Sequence, residues 1–286
     1  MTESPLALIG VPIPKMPKTA AARVTKRGPD RNVATHPSYA SHAHVRKSAG
    51  TTHAAEPEPV DIRRARPLPR EFFLRDPRLV GRELLGKLLI RRHGERILAG
   101  RLVETEAYLG VTDPAAHSAA GRTARNAVLF GPPGFAYVYL IYGMHYCLNV
   151  SCMPEGDAGC VLLRAFEPVA GLEEMCRFRH LELPAHPSVA QLRLVSSGPG
   201  RMAHAMAITR LRDNGKDMTS PRRSDLWFAD DGYVTGAVIE TPRIGITKAV
   251  EDHLRYIVRD SPFVLKLPRR KPLRSAEVRE SKKDRG

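Results

Sequence analysis

Glu104, Glu106 and Tyr108 occupy alternate positions of the stretch Arg101-Leu-Val-Glu-Thr-Glu-Ala-Tyr-Leu-Gly110. As an extended strand, this stretch turns the three side chains to one face and Val103, Thr105 and Ala107 to the other. Two carboxylates and a phenol are expensive to bury without partners. They therefore either line a solvated face, paired with Arg101 or Arg92, or carry out proton transfer. A carboxylate in such a place can take a proton from water and stabilise positive charge developing on a sugar. Paired acid and base carboxylates of a glycosidase must flank a bond, whereas neighbours on one strand face point the same way, which counts against that reading. The next stretch supplies His117, Arg122, Arg125 and Asn126 in a long glycine-containing loop (residues 110–134), more polar than a plain connection requires.

A second chemistry-bearing stretch is Tyr137-Val-Tyr-Leu-Ile-Tyr-Gly-Met-His-Tyr-Cys-Leu-Asn149, which holds four of the eight tyrosines. It reads as two strands joined at Gly143-Met144, a Gly-X pair suited to a two-residue type II′ turn. That register puts Tyr142 at the tip. An aromatic wedge on a stiff hairpin could prise apart stacked bases. The plain alternative is that strand-favouring aromatics simply pack into a core.

The elements that must hold these residues follow from local patterns. Asp76-Pro77 reads as a helix N-cap and first position, Leu79, Val80, Leu84 and Leu85 form the apolar stripe, and Gly86 ends it. Residues 87–92 and 96–108 read as strands about a turn at His93-Gly94. A short strand is expected at 159–164, helices at 168–179 and 198–208, short strands between 225 and 247, and a closing strand from 256 to 267 broken at Ser261-Pro262. Strands and helices do not alternate regularly, which favours α+β with an antiparallel sheet over a doubly wound fold. One domain over 67–268 is expected.

The net charge of +15 sits mostly outside that span, with +6 on residues 1–66 and +5 on 269–286. Both tails read as disordered, the first being rich in proline and alanine, and such cationic tails can gather phosphate backbones at low salt. Charge alone does not separate that role from solubility. Cys147, Cys152, Cys160 and Cys176 have no zinc-finger spacing and read as buried free thiols of a reducing compartment. His36, His42, His44 and His53 fit no defined metal site. No apolar run is long enough to span a membrane. Prolines after the apolar patch at 6–11 argue against a signal peptide, while residues 18–35 keep a transit peptide open. The cytoplasm of a bacterium is expected, or the nucleus in a eukaryote.

Taken in order, Val103-Glu-Thr-Glu-Ala-Tyr-Leu-Gly110, Ala116-His-Ser118, Arg125-Asn126, the 137–149 hairpin and Cys160-Val-Leu-Leu-Arg-Ala-Phe-Glu-Pro168 resemble the alkyladenine (3-methyladenine) DNA glycosylase family. Ser197-Gly-Pro199, Thr241-Pro-Arg-Ile-Gly-Ile246 and Tyr256-Ile-Val-Arg-Asp-Ser-Pro-Phe263 extend the match over nearly all of 68–267 and neither tail. The resemblance implies a single mixed domain with a curved antiparallel sheet, surrounding helices and a protruding hairpin that enters the DNA minor groove. It implies a monofunctional, cofactor-free hydrolase that flips and removes damaged purines from duplex DNA as a monomer. The substrates would be 3-methyladenine, 7-methylguanine, hypoxanthine and ethenoadenine, in an order the sequence does not rank.

In that family pattern Glu106 is the general base, with Arg164 and the Ile244 carbonyl holding the water. Tyr108 covers one face of the flipped base, His117 and Tyr139 the other, and Asn149 disfavours guanine. Tyr142 replaces the extruded nucleotide. Arg122, Arg125, Gly198 and Arg201 are candidates for the DNA backbone. Arg164 is expected to keep Glu106 ionised by lowering its pKa. No lysine is expected beside the pocket, so no Schiff-base lyase step is foreseen. Departures from the pattern are a loop one residue shorter before Arg125, Ala124 where proline is common, and His145 where an aromatic often sits. A non-enzymatic damage-binding protein that uses the Tyr142 wedge is the alternative.

Overall fold

A long central strand, β3 (Arg96–Tyr108), organises the molecule. The computed structural model describes residues 61–264, so the expectations for the two basic tails fall largely outside the described residues. The elements run β1 (Arg66–Pro67), α1 (Arg70–Phe73), α2 (Pro77–Glu83), β2 (Leu88–His93), β3, β4 (Ala136–Ile141), β5 (His145–Cys152) and β6 (Gly159–Ala170). After these come α3 (Leu172–Arg179), α4 (Val189–Ser196), α5 (Pro199–Ala205), α6 (Arg210–Asp213), β7 (Leu226–Asp230), β8 (Val238–Thr241) and β9 (Arg255–Val258). The nine strands form one antiparallel sheet in the order β1-β7-β2-β3-β6-β5-β4, with β9 joining β3 and β8 joining β9. The α+β reading is borne out.

Local chemistry accounts for the elements. Asp76 caps α2 by accepting from the Arg78 amide at 2.8 Å, and Pro77 stands where a missing N–H is harmless. Gly86, at φ +84°, turns the chain into β2. Between β2 and β3 the turn residues are Gly94 and Glu95, since His93 still pairs with Arg96. The turn lies one place later than expected because Gly94 supplies the positive φ. β6 runs to Ala170, beyond the expected 164, and absorbs Pro168 where a helix start was expected. Pro168 is tolerated because β5 pairs only with residues 159–162 of β6 and the isolated Ala165–Ser197 bridge stops short of it, leaving that edge open at residue 168. Three helices were not anticipated: the short α1 and α6, and α4, whose Ser188–Gln191 capping box is plain once located.

The main core lies between one sheet face and the helices, with Phe73, Val80, Leu98, Leu102, Leu148, Leu163, Phe166 and Met202 among its buried members. Strand alternation alone would send Glu104 and Glu106 to the same side as Leu98 and Leu102. It does not, because β3 bulges against β6 between Leu102 and Thr105. Beyond the bulge Thr105 is the residue facing α2, its hydroxyl donating to the Gly81 carbonyl at 2.8 Å. The extra residue flips the strand and hands the two carboxylates to the opposite face. The 137–149 segment forms the expected hairpin, but its turn differs. Ile141 pairs with His145, so Tyr142, Gly143 and Met144 connect the strands, and Tyr142 and Gly143 are the central residues of the Ile141–Met144 turn, at φ +53° and +70°. The Met144 amide closes the turn onto the Ile141 carbonyl at 3.2 Å. Two positive φ values make this type I′, not II′, matching the right-handed twist of the strands.

Candidate active site

On the sheet face away from the main core, β3, β4, β5 and β6 and the loops around 117 and 244 enclose a cavity of about 550 Å³. Its wall includes Tyr108, His117, Tyr139, Asn149, Arg164 and Ile244, together with the exposed Arg125 and Tyr142. Glu106 is fully buried behind the cavity wall, where three groups that do line the cavity hold it. Its Oε1 accepts from the Ile244 amide at 2.8 Å and faces Arg164 Nη1 at 3.0 Å. The Tyr108 hydroxyl donates to Oε2 at 3.1 Å. Ile244 thus reaches Glu106 through its N–H, a contact additional to the expected role of its carbonyl toward the water.

Burial raises the Glu106 pKa, and neither Arg164 nor the two neutral donors restore it to the ordinary range. Arg164 lowers it, in the expected direction, but burial outweighs that effect and the net shift is upward. Arg164 is shared: its Nε donates to Glu104 at 2.7 Å, and Arg255 donates to the same Glu104 oxygen at 2.8 Å. Glu104 is equally buried, yet two guanidinium groups outweigh desolvation and hold its pKa below the usual value. Arg101 and Arg92, the partners considered for a solvated face, lie elsewhere. Arg101 pairs with Asp231 and Arg92 reaches the Pro221 carbonyl.

The aromatic wall is a linked set. His117 Nδ1 lies 2.9 Å from the Tyr137 hydroxyl, and its ring meets Tyr139 edge-on at 4.5 Å. Burial, helped by Arg125, depresses the His117 pKa, so the ring is a neutral surface at pH 7. Arg125 lies 5.7 Å over the Tyr139 ring. Asn149 is buried, donates to the Tyr137 carbonyl at 3.2 Å and presents a fixed amide to the cavity. Tyr142 is 81% exposed at the hairpin tip. Gly198 caps α5 at φ +108°, and Arg201 and Arg122 are exposed outside the cavity wall.

Arg243, Asp113 and Arg255, not singled out as site residues from sequence, hold this site together with Asn126, which was. Arg243 and Asp113 form a buried pair that ties the 242–254 loop to the turn after β3. The Arg243 guanidinium also packs 4.7 Å from the Tyr108 ring. Asn126 fixes the His117 loop by donating to the His117 and Gly121 carbonyls, both at 2.9 Å. Asp113 and Arg255 gave no local signal, because their partners lie 130 and 151 residues away. Lys248 lines the cavity, against the expectation that no lysine would. That expectation failed because the loop carrying Lys248 folds back onto the sheet through Ile244 and Arg243. Among the described residues, no group of three or more His, Cys, Asp or Glu side chains is arranged to hold a metal.

Comparison with known proteins agrees with this geometry. The family model described as methylpurine-DNA glycosylase matches residues 71–262. A protein of Koribacter versatilis (strain Ellin345), provisionally named a 3-methyladenine DNA glycosylase, is 68% identical over 198 residues, covering 69% of this chain and 92% of its own. Relatives with the same provisional name from Methanocella arvoryzae and Alkaliphilus oremlandii are 43% and 39% identical, covering 70% and 69% of this chain and 96% and 98% of their own. With a buried acid, an aromatic cavity and a tyrosine-tipped hairpin all inside the matched span, the chain belongs to the methylpurine-DNA glycosylase family and is a DNA glycosylase.

Proposed function

We propose that the chain removes alkylated or deaminated purines from duplex DNA by hydrolysis, acting as a monomer and without a lyase step. The candidate substrates are 3-methyladenine, 7-methylguanine, hypoxanthine and ethenoadenine. The observation that carries this reading is Glu106, fully buried and hydrogen-bonded to Tyr108, Ile244 and Arg164, which line a cavity also walled by His117 and Tyr139. About 550 Å³ is ample for one purine. A base inside a duplex is out of reach of any such cavity, so it must be extruded. Tyr142 stands free at the tip of the hairpin to fill the gap.

In this mechanism the flipped ring stacks on Tyr108 and against the His117–Tyr139 wall, each aromatic contact contributing roughly 1–3 kcal/mol. An alkylated, cationic ring gains more on aromatic faces. The Asn149 amide crowds a 2-amino group and so disfavours guanine. As the N-glycosidic bond lengthens, Glu106 stabilises the positive sugar and takes the proton of the attacking water. Its raised pKa makes it a stronger base than a free carboxylate. Arg164 bridges Glu104 and Glu106 and fixes the orientation of the acid.

Glu106→Gln tests the reading on a duplex carrying one hypoxanthine or ethenoadenine. Base release should fall by at least about 10²-fold, the usual weight of a general base, while lesion affinity is kept. Undiminished release by the variant would overturn the assignment. Lesion binding by the wild type without base release would favour a damage-binding protein that uses Tyr142 as a wedge. Because Lys248 lines the cavity, borohydride trapping on an abasic duplex is the direct check on the absence of a lyase step, and a covalent adduct would refute it.

A further inference from the structure

The charged side chains that line the purine-sized cavity are of one sign. Apart from two histidines they are Arg125, Arg164 and Lys248, and no Asp or Glu belongs to the lining. Arg164 is already balanced, because it reaches back to Glu104 and Glu106. So is Arg243, which lies outside the lining and pairs with Asp113. Arg125 and Lys248 differ. Both are exposed, and among the described residues neither is paired with a carboxylate. They stand on separate loops. Arg125 precedes β4, and its guanidinium lies 5.7 Å over the Tyr139 ring. Lys248 belongs to the loop whose Ile244 amide holds Glu106.

Damaged purines fall into two charge classes. A purine alkylated at its third or seventh ring atom is a cation within the strand, whereas hypoxanthine and ethenoadenine are neutral. When the N-glycosidic bond breaks, its electron pair stays with the base. The cationic purine therefore departs as a neutral molecule, and the neutral purine departs as an anion. Water supplies hydroxide to the sugar, and the proton it gives to Glu106 passes on to that anion. Bare aromatic walls would favour the cationic class. Here one of them, Tyr139, already faces a guanidinium, and two unbalanced positive charges border the space that the base would fill. Such charges repel a cationic ring and stabilise the negative charge that develops on a neutral one.

We infer that Lys248, helped by Arg125, is a specificity-determining residue that biases the cavity toward neutral purines and against cationic, N-alkylated ones. The inference rests on the proposed hydrolysis of purines and adds which charge class of base is favoured. Water and salt screen exposed charges, so the bias is a matter of several-fold, not absolute exclusion.

The test compares single-turnover release of hypoxanthine and of 7-methylguanine from otherwise identical duplexes, for the full chain and for Lys248→Gln, Lys248→Glu and Lys248→Arg. The readout is the ratio of the two rates within each variant, which does not depend on how much of the preparation is active. The ratio of hypoxanthine to 7-methylguanine release should fall several-fold in Lys248→Gln and further in Lys248→Glu. Lys248→Arg keeps the charge and should keep the wild-type ratio. Arg125→Gln should shift the ratio in the same direction as Lys248→Gln. An unchanged ratio in both Lys248→Gln and Lys248→Glu overturns the inference, even if both rates drop together, as they would if Lys248 only held the DNA strand. Release of neither base by the wild type would sink the proposed function and this inference with it; release of both with an unmoved ratio sinks this inference alone.

Discussion

Glu104 and Glu106 are two residues apart and equally buried, yet their proton affinities shift in opposite directions. Both are desolvated. Glu104 receives two guanidinium donors on one oxygen, whereas Glu106 shares Arg164 and otherwise meets only a phenol and an amide. Glu106 must be ionised to accept a proton, so base release should fall as pH drops through its raised pKa. The Tyr108 hydroxyl favours the ionised form. Tyr108→Phe keeps the ring and removes that donor, so the pKa rises further and the acid limb of the pH–rate profile moves to higher pH. Single-turnover rates measured across the pH range should separate several-fold at the acid end and converge at the alkaline end. An unmoved acid limb would mean that the limb belongs to another group.

At the scale of elements, the hairpin carries strain where it presents its tip. Tyr142 holds φ +53°, a conformation that costs a side chain with a Cβ about 1–2 kcal/mol. Tyr142→Asn would create Asn-Gly, the pair best suited to a type I′ turn. The variant should melt at a slightly higher temperature while losing lesion affinity by roughly tenfold, the stacking of one aromatic. If affinity were unchanged, the tip would not be the plug. The exit from β3 makes the opposite demand. Gly110 sits at φ +81°, and an added Cβ would lie 2.1 Å from the Asp157 carbonyl oxygen. Gly110→Ala should therefore cost roughly 3 kcal/mol, combining conformational strain and overpacking. Denaturant midpoints would show it, and a loss under about 1 kcal/mol would mean that the turn re-forms elsewhere.

At the scale of the molecule, most of the excess charge lies outside the span shared with relatives. Residues 1–66 and 269–286 carry +6 and +5 of the total +15. Relatives whose own length is 92–98% covered by the match manage with the central region. A chain cut to residues 61–264 should therefore fold and keep its maximal rate of base release. Its DNA affinity should fall, with a salt slope shallower by about 0.9 for each phosphate that the tails had neutralised. An unchanged slope would show that the tails do not touch DNA. A lost rate would show that the tails belong to the working domain.

Much of the site was legible in the chain because its parts are local. The alternation of Glu104, Glu106 and Tyr108, the tyrosine hairpin and the capped α2 each depend on neighbours a few residues apart. The order of these motifs was enough to mark the family. What the sequence could not decide was set by contacts between distant segments. The bulge opposite β6 chose which face of β3 received the two acids, although simple alternation would have sent both toward the main core. Two arginines, 60 and 151 residues from Glu104, secured its charge and left Glu106 the more basic acid. The loop after β8 carried Lys248 to the cavity. Proton affinity and charge pairing depend on distance and dielectric in three dimensions, and those come into being only when the chain folds.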